Sequence, residues 1–417
     1  MAVSEKTTLR HNRWKRQILD IIRRVPNASR IVVKRMTGLS MDSSLALVDA
    51  LLQEGLIVAT GKKDNRRAGR KATILKIHGD GCYFIGIRFN ASRIAGVCIN
   101  FERNVVCTCE SELSGGLDAK DIVQRVGDCI DELLEQLGER RTRLLGIGIG
   151  APGIIDLSRG IITRYVHIPG WENIPLRELI QERFETPTYL EHGVKCTARA
   201  VMAMPEHASS DTLLFLQMGR GINMCVVVNG RILSGANYLS GEVGHMHVEG
   251  NECACECGRT GCLETLAASG AICNAARRSL LMEGHGFSTL QQLLDSGHPL
   301  TLQTICTAAD RGCKGCNKLL EQAGQAVGCM LASSIMIINP QEVILSGHLC
   351  TSQTFCTVVR ETLTLRCMTE SLAAAALTFM PADAQLDALG AAELPFQKEF
   401  GVEETGDPVQ KALQASL

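Results

Sequence analysis

Long apolar runs are missing from this chain of 417 residues. Even a stretch such as 332–338 is broken by Ser333 and Ser334 and closed by Pro340, well short of the roughly 20 apolar residues a membrane helix needs. The first 16 residues carry six charges and no apolar core, so no export signal is read and the expected location is the cytoplasm. No low-complexity linker divides the chain. There is also no basic amphipathic helix with a broad aromatic or leucine face, which argues against an anionic membrane as the partner of its basic segment. Nineteen cysteines are present, but they are scattered through a large chain rather than packed into a short secreted one, so most are read as buried reduced thiols.

What is present begins with length and charge. A chain this long exceeds one hydrophobic core, so two or three structural units are expected. The formal charge of −1 conceals a division. Residues 1–80 hold 17 of the 43 basic and 7 of the 44 acidic side chains, leaving 26 and 37 for the remainder, a split of +10 against −11. A basic end on an acidic body points to a polyanionic partner, with nucleic acid first in line.

The basic end has a pattern to match. Trp14, Ile18, Ile21, Ile22 and Val25 recur at three- and four-residue intervals, predicting a helix over 12–24 that Pro26 stops. Ser29 caps a second helix with Val32, Val33 and Met36 inward, and Gly38 ends it. Ser40 caps a third, running to about Gln53, with Leu45, Val48, Leu51 and Leu52 inward and Met41, Ser43, Ser44 and Leu47 outward. Helix, glycine turn and capped helix is the helix-turn-helix arrangement, whose second member reads base edges in the major groove. Strands over 56–60 and 73–77 flank a basic tip in which Lys62, Lys63, Arg66, Arg67, Arg70 and Lys71 would neutralise phosphates, the wing of a winged helix-turn-helix. Asp42 is the discordant charge, placed either for the helix dipole or to accept from a cytosine amine. A basic docking module for another protein is the plainer alternative.

Beyond residue 80 strands alternate with helices, an α/β pattern. Strands are expected over 83–89, 94–99, 105–109, 144–149, 213–217, 224–228 and 343–346, with a helix over 119–137. The organisation read from this is a DNA-binding domain over 1–80, a larger domain over 81–395 and a polar, mobile tail over 396–417.

The densest chemistry lies at 241–264, GEVGHMHVEGNECACECGRTGCLE. His245, Cys255, Cys257 and Cys262 can supply one imidazole and three thiolates, a closed tetrahedral set that leaves no position for a reactive water, so the expected cofactor is one structural zinc ion. His247 and Cys253 compete for places in that set. Cys313 and Cys316 form a second C-x-x-C, here read as coincidental structural cysteines.

With these residues in hand, G-E-x-G-H followed by C-x-C-G-x-x-G-C-x-E resembles the signature of the ROK family of repressors, open reading frames and sugar kinases. The runs GIGAPGIID at 148–156, PGW at 169–171 and INPQEVILSG at 338–347 are similar to its repressor branch, the branch of the glucose and N-acetylglucosamine repressors. The resemblance implies a two-lobed, actin-like ATPase fold behind a winged helix-turn-helix, as a homodimer or homotetramer. It implies that Glu242, His245 and Glu264 contact sugar hydroxyls, with His192 or Lys195 in place of the aspartate that ordinarily holds a further hydroxyl. Where the family's kinases carry an Asn-Asp with a catalytic base, this chain reads Glu191, His192, Gly193. Its D-x-G-x-T turn reads Arg88, Phe89, Asn90, Ala91, Ser92, and its G-T-G-x-G is reduced to Gly219, Arg220, Gly221. Loss of a general base alone costs about 10² to 10⁴ in rate, so no kinase activity is expected, and Arg88 and Arg220 suit an anionic ligand. The expected function is a repressor of carbohydrate genes that binds an operator in double-stranded DNA and answers to a sugar. A regulator held by a protein partner such as a sugar transporter, and a residual sugar kinase, are the rivals.

Overall fold

The computed structural model describes residues 13–62, 73–113, 116–282 and 286–401. It divides into two compact units, one made of residues 1–200 with 385–417, the other of residues 201–384. The division differs from the expected one at residue 80, because the first three helices pack onto the same body as the strands that follow them.

The first unit opens with α1 (Arg13–Arg24), α2 (Arg30–Thr37) and α3 (Met41–Gln53). Ser29 caps α2 by accepting from Val32 N, Gly38 ends it in the left-handed region at φ 71°, and Ser40 caps α3 by accepting from Ser43 N. Each device satisfies backbone groups that a helix end leaves unpaired. Ile18, Ile21, Ile22, Val33, Val48 and Leu51 form the buried seam. Trp14 is 41% exposed, contrary to the inward position its spacing predicts, because the first turn of α1 extends past that seam. The antiparallel pair β1 (Ile57–Lys62) and β2 (Thr73–Ile77) follows.

The body of this unit is a sheet in the order β10-β6-β3-β4-β5, built from β3 (Tyr83–Phe89), β4 (Arg93–Asn100), β5 (Val105–Glu112), β6 (Leu144–Ala151) and β10 (Thr188–His192). Strands β10, β6 and β3 run parallel, and β4 and β5 are antiparallel additions. Helix α4 (Ala119–Leu137), opened by an Asp118–Asp121 capping box, buries Ile122, Val126, Ile130 and Leu133 in the sheet's core. Cys109 of β5 and Cys129 of α4 are joined as a disulfide. A small sheet of β7 (Ile154–Asp156), β8 (Ile161–Arg164) and β9 (Glu172–Ile174) carries buried Trp171 against Phe89, and α5 (Leu176–Phe184) and α6 (Gly193–Met202) flank β10.

The second unit holds the sheet β13-β12-β11-β14-β15, with β11 (Leu213–Met218), β12 (Ile222–Val228), β13 (Arg231–Ile232), β14 (Glu342–Gly347) and β15 (Ala376–Met380). Its helices are α7 (Glu264–Ala267), α8 (Ser269–Met282), α9 (Ser288–Asp295), α10 (Leu302–Asp310), α11 (Lys314–Ile338), α12 (Gln353–Arg366) and α13 (Thr369–Ala374). A Cβ on Gly328 of α11 would stand 2.6 Å from that of Thr362, so glycine lets α12 pack close. Cys313 immediately precedes α11 and donates to Gly286 O at 3.2 Å, and Cys316 is fully buried; both are core thiols.

The chain returns to the first unit through α14 (Ala384–Phe400). Phe396 and Phe400 are 5% and 3% exposed. This corrects the expected tail: residues 396–400 belong to the core, since the apolar face of α14 continues through them, and residues 402–417 lie outside the described ones. Phe396→Ala should destabilise the protein by about 3 to 5 kcal/mol, read as a lower thermal midpoint. A chain ending at residue 395 should melt well below one ending at 401; equal melting of the two would contradict the assignment of the end of α14 to the core.

Candidate functional site

At the front of the first unit, α3 presents Met41, 43% exposed, and an exposed Ser43 on its first turn, with Leu47 half-buried one turn on. Ser44 is 1% exposed. The expectation that it faces outward is therefore corrected: at i, i+4 and i+7 it lines up with Val48 and Leu51 on the inner stripe. Asp42 is exposed in the first turn of α3, where the helix dipole favours an acid. Lys63, Arg66, Arg67, Arg70 and Lys71 lie outside the described residues, and of Lys62 only the backbone ending β1 is described.

In the second unit the loop after β13 gathers His245, Cys255, Cys257 and Cys262, whose ligand atoms all lie within 4.8 Å of one another and could hold a metal ion. His245 Nδ1 is 3.7 Å from Cys255 Sγ, and Cys257 Sγ is 3.6 Å from Cys262 Sγ. The loop folds back by Cys255 N to Arg259 O at 2.7 Å and Gly261 N to Cys253 O at 2.9 Å. Gly258 and Gly261 take φ values of +89° and +79°, which the sharp returns require. Asn251 locks the far side by donating to Cys262 O and Thr265 Oγ1. The two competing residues fall outside the cluster: the His247 ring packs against the Cα of Gly261, and Cys253 is exposed. The backbone N–H of Arg259, then its side chain, holds the Cys257 thiol down to about 6, whereas burial foremost pushes Cys262 up to about 12. A cation bound by such thiols holds them as thiolates.

Beside this loop the two carboxylates are anchored to the first residues of β12. Glu264 Oε2 accepts from Ile222 N at 3.1 Å, and Asn223, with its amide turned to donate, lies 3.1 and 3.3 Å from the oxygens of Glu242. His245 directs Nδ1 to the cysteines, which turns Nε2 to the opposite side of its ring. Asn223 and Arg259 were not singled out from sequence; only contact with Glu242 and Cys257 gives them roles.

His192 belongs to the first unit. There Arg88, Gly150 and Glu191 stand in register at the C-terminal ends of parallel β3, β6 and β10. Arg88 Nη1 donates to Phe89 O at 2.7 Å and Gly150 O at 3.2 Å, and its guanidinium fills the space a side chain at 193 would need. Glu191 accepts from His192 N at 2.9 Å and lies 3.6 Å from Arg199. Burial, then Lys195 and Arg88, lowers His192 to about 4.

Two units, each an α/β sheet with flanking helices, and a His–Cys loop beside paired carboxylates define the architecture, with three helices and a strand pair ahead of the first sheet. A model described as the ROK family matches residues 85–398, and the chain belongs to that family. It is 25% identical over 319 residues to a xylose repressor of Caldicellulosiruptor bescii, covering 76% of this chain and 79% of that one. It is 26% identical over 321 residues to the DNA-binding transcriptional dual regulator NagC of Escherichia coli K12, covering 77% of each. The fold is similar to that of a ROK family transcriptional regulator described as a homolog of the E. coli MLC protein, with TM-score 0.77, 20% identity and coverage of 95% and 98%. It is also similar to a ROK family glucokinase from Streptomyces griseus, with TM-score 0.63, 20% identity and coverage of 76% and 99%.

Cys257→Ser should abolish stoichiometric metal and lower the melting temperature, and a chelator should do the same to the unaltered protein. Cys253→Ser should keep the metal. Full metal content in Cys257→Ser, measured by atomic absorption, would overturn the four-ligand set.

Proposed function

We propose that this ROK protein is a sugar-responsive transcription repressor of carbohydrate genes whose kinase activity is lost. The observation that carries the reading is the Arg88 guanidinium seated over Gly193, where the resemblance to the family's kinases calls for an aspartate base. A cation there can neither accept the proton of a sugar hydroxyl nor coordinate magnesium.

Residues 1–80 act as a winged helix-turn-helix. Met41, Ser43 and Leu47 read base edges, and Lys62, Lys63, Arg66, Arg67, Arg70 and Lys71 hold phosphates along the groove. Dimerisation through the larger domain sets two such heads about one DNA turn, roughly 34 Å, apart on a palindromic operator in the cytoplasm. Glu242, His245 and Glu264 accept from or donate to sugar hydroxyls, and their ionised carboxylates penalise analogues that lack them. The metal of the His245, Cys255, Cys257, Cys262 set is zinc: Zn–S of about 2.3 Å in a tetrahedron calls for sulfur–sulfur separations of roughly 3.8 Å, and Cys257 and Cys262 stand 3.6 Å apart. Bound zinc would fix the loop that carries His245 and Glu264 and supply no reaction. An effector that prefers one state of the protein by about 1 to 3 kcal/mol changes operator affinity about 5- to 150-fold.

Selection from genomic fragments at about 150 mM salt, where non-specific phosphate binding is partly suppressed, should enrich one or a few promoters beside carbohydrate genes. Ser43→Ala should weaken that binding while Ser44→Ala acts through stability alone. A coupled ADP assay across hexoses should read background, and turnover above it would restore the kinase.

A further inference from the structure

Four cysteines meet on one side of the first unit's sheet. Cys107 and Cys109 lie two residues apart on β5, so their side chains point the same way, toward α4. Gly96 and Cys98 of β4 stand opposite Cys109 and Cys107 in register. Cys109 is bonded to Cys129 of α4, with 6.2 Å between their Cα atoms, and Cys107 Sγ lies 3.7 Å from Leu133 O, one turn further along that helix. Glycine makes room for the bond, since a Cβ at residue 96 would stand 2.7 Å from each of its sulfurs. Strand β5 is the edge of its sheet, so the bond ties that edge to the helix covering it.

Cys109 and Cys129 are each 6% exposed, which screens their bond from dissolved thiols, whereas Cys107 is half-buried. Cys98 is fully buried and keeps its proton; its thiol donates to Cys107 and, with Arg140 nearby, holds Cys107 below the ordinary thiol range. A thiolate is the form that attacks a disulfide. In the cytoplasm, where the proposed function places this protein, disulfides are transient or redox-sensing rather than permanent. We propose that Cys107, Cys109 and Cys129 form a reversible thiol–disulfide site that exchanges with small soluble thiols and disulfides of the glutathione type, with Cys107 as the relay between solvent and the buried bond. The Cys107 thiolate attacks the Cys129 sulfur, forming a Cys107–Cys129 bond and releasing Cys109 as a thiolate that takes up a proton. A small thiolate then attacks the Cys107 sulfur, leaving a mixed disulfide there and releasing Cys129, which is protonated in turn. A second small thiolate attacks the small molecule's sulfur in that mixed disulfide, departs as the oxidised small disulfide and returns Cys107 to thiolate. Two electrons pass from two small thiols to the protein, and the steps run backwards with the small disulfide as oxidant. The first unit thereby answers to the thiol–disulfide balance around it, a response separate from any sugar; of the proposed function it uses only the cytoplasmic placement.

Peptide mapping of the full chain, alkylated without reductant, tests the site. After exposure to oxidised glutathione the peptides of Cys109 and Cys129 should be linked, and excess reduced glutathione applied to the folded protein should remove the link. Cys107→Ser should keep the link under the same reductant, because the relay is gone. Failure of the link to form, its survival in the unaltered protein, or its equal loss in Cys107→Ser would overturn the site. If Cys107→Ser does not fold, iodoacetamide applied to the folded, oxidised protein decides: it should modify Cys107 and then protect the link, and a Cys107 left unmodified or a link left unprotected would equally overturn the relay. Failure to find an operator would remove the regulatory reading and leave this mapping standing.

Discussion

Helix α14 lies so close to the central strands that side chains there are forbidden. A Cβ on Gly86 would run into the backbone of Ala388 and Ala392, one on Gly148 into the carbonyl of Ala391, and one on Gly146 would come within 2.6 Å of Pro395. Glycine weakens a strand in isolation, but here it removes the layer of side chains that ordinarily separates a helix from a sheet. The far end of the same helix carries Phe396 and Phe400 among Phe84 and Phe101, with ring centroids 4.6 to 6.2 Å apart. Arg23 of α1 stacks over Phe396 and Phe101 at 4.7 and 5.3 Å, and Arg16 reaches Lys398 O. The last helix of the chain thus seats the first one. Burial, with Arg103 beside it, lowers Arg23 to about 10, and Arg103 in turn pairs with buried Glu393 at 2.6 Å. Such a contact holds only while both ends of the chain are in place.

The same helix touches α6. Gly390 admits the backbone of Cys196 and Thr197, and Asp387 takes the Thr197 hydroxyl. One rigid element therefore spans from the start of α6 to the seat of α1. That continuity gives a physical connection between the end of β10 and the three-helix front; whether energy travels along it is measured by coupling, not by position.

Much of this was readable before any fold was known. The caps at Ser29 and Ser40, the end at Gly38, the helix over 119–137 and the strand at 83–89 depend on neighbours within a few residues, and their bounds were legible to within a residue or two. The His245, Cys255, Cys257, Cys262 cluster was legible because three of its ligands lie in eight residues and a loop that short must gather them. Ser44 was misread because one residue of helical phase, about 100°, separates an outward from an inward side chain, and its polarity pointed the wrong way. Phe396 and Phe400 were missed because the strands that cover them lie some 300 residues earlier in the chain.

By itself the sequence determined the local alphabet of the protein: capped helices, alternating strands, a basic front on an acidic body, and a soft-ligand loop. These follow from short-range sterics, hydrogen bonding and charge. Tertiary structure alone excluded His247 and Cys253 from the centre, and decided that Arg88 occupies the room left by Gly193 and that the final helix belongs to the first unit. Each depends on which distant segment comes within van der Waals contact, a choice made by packing the whole chain.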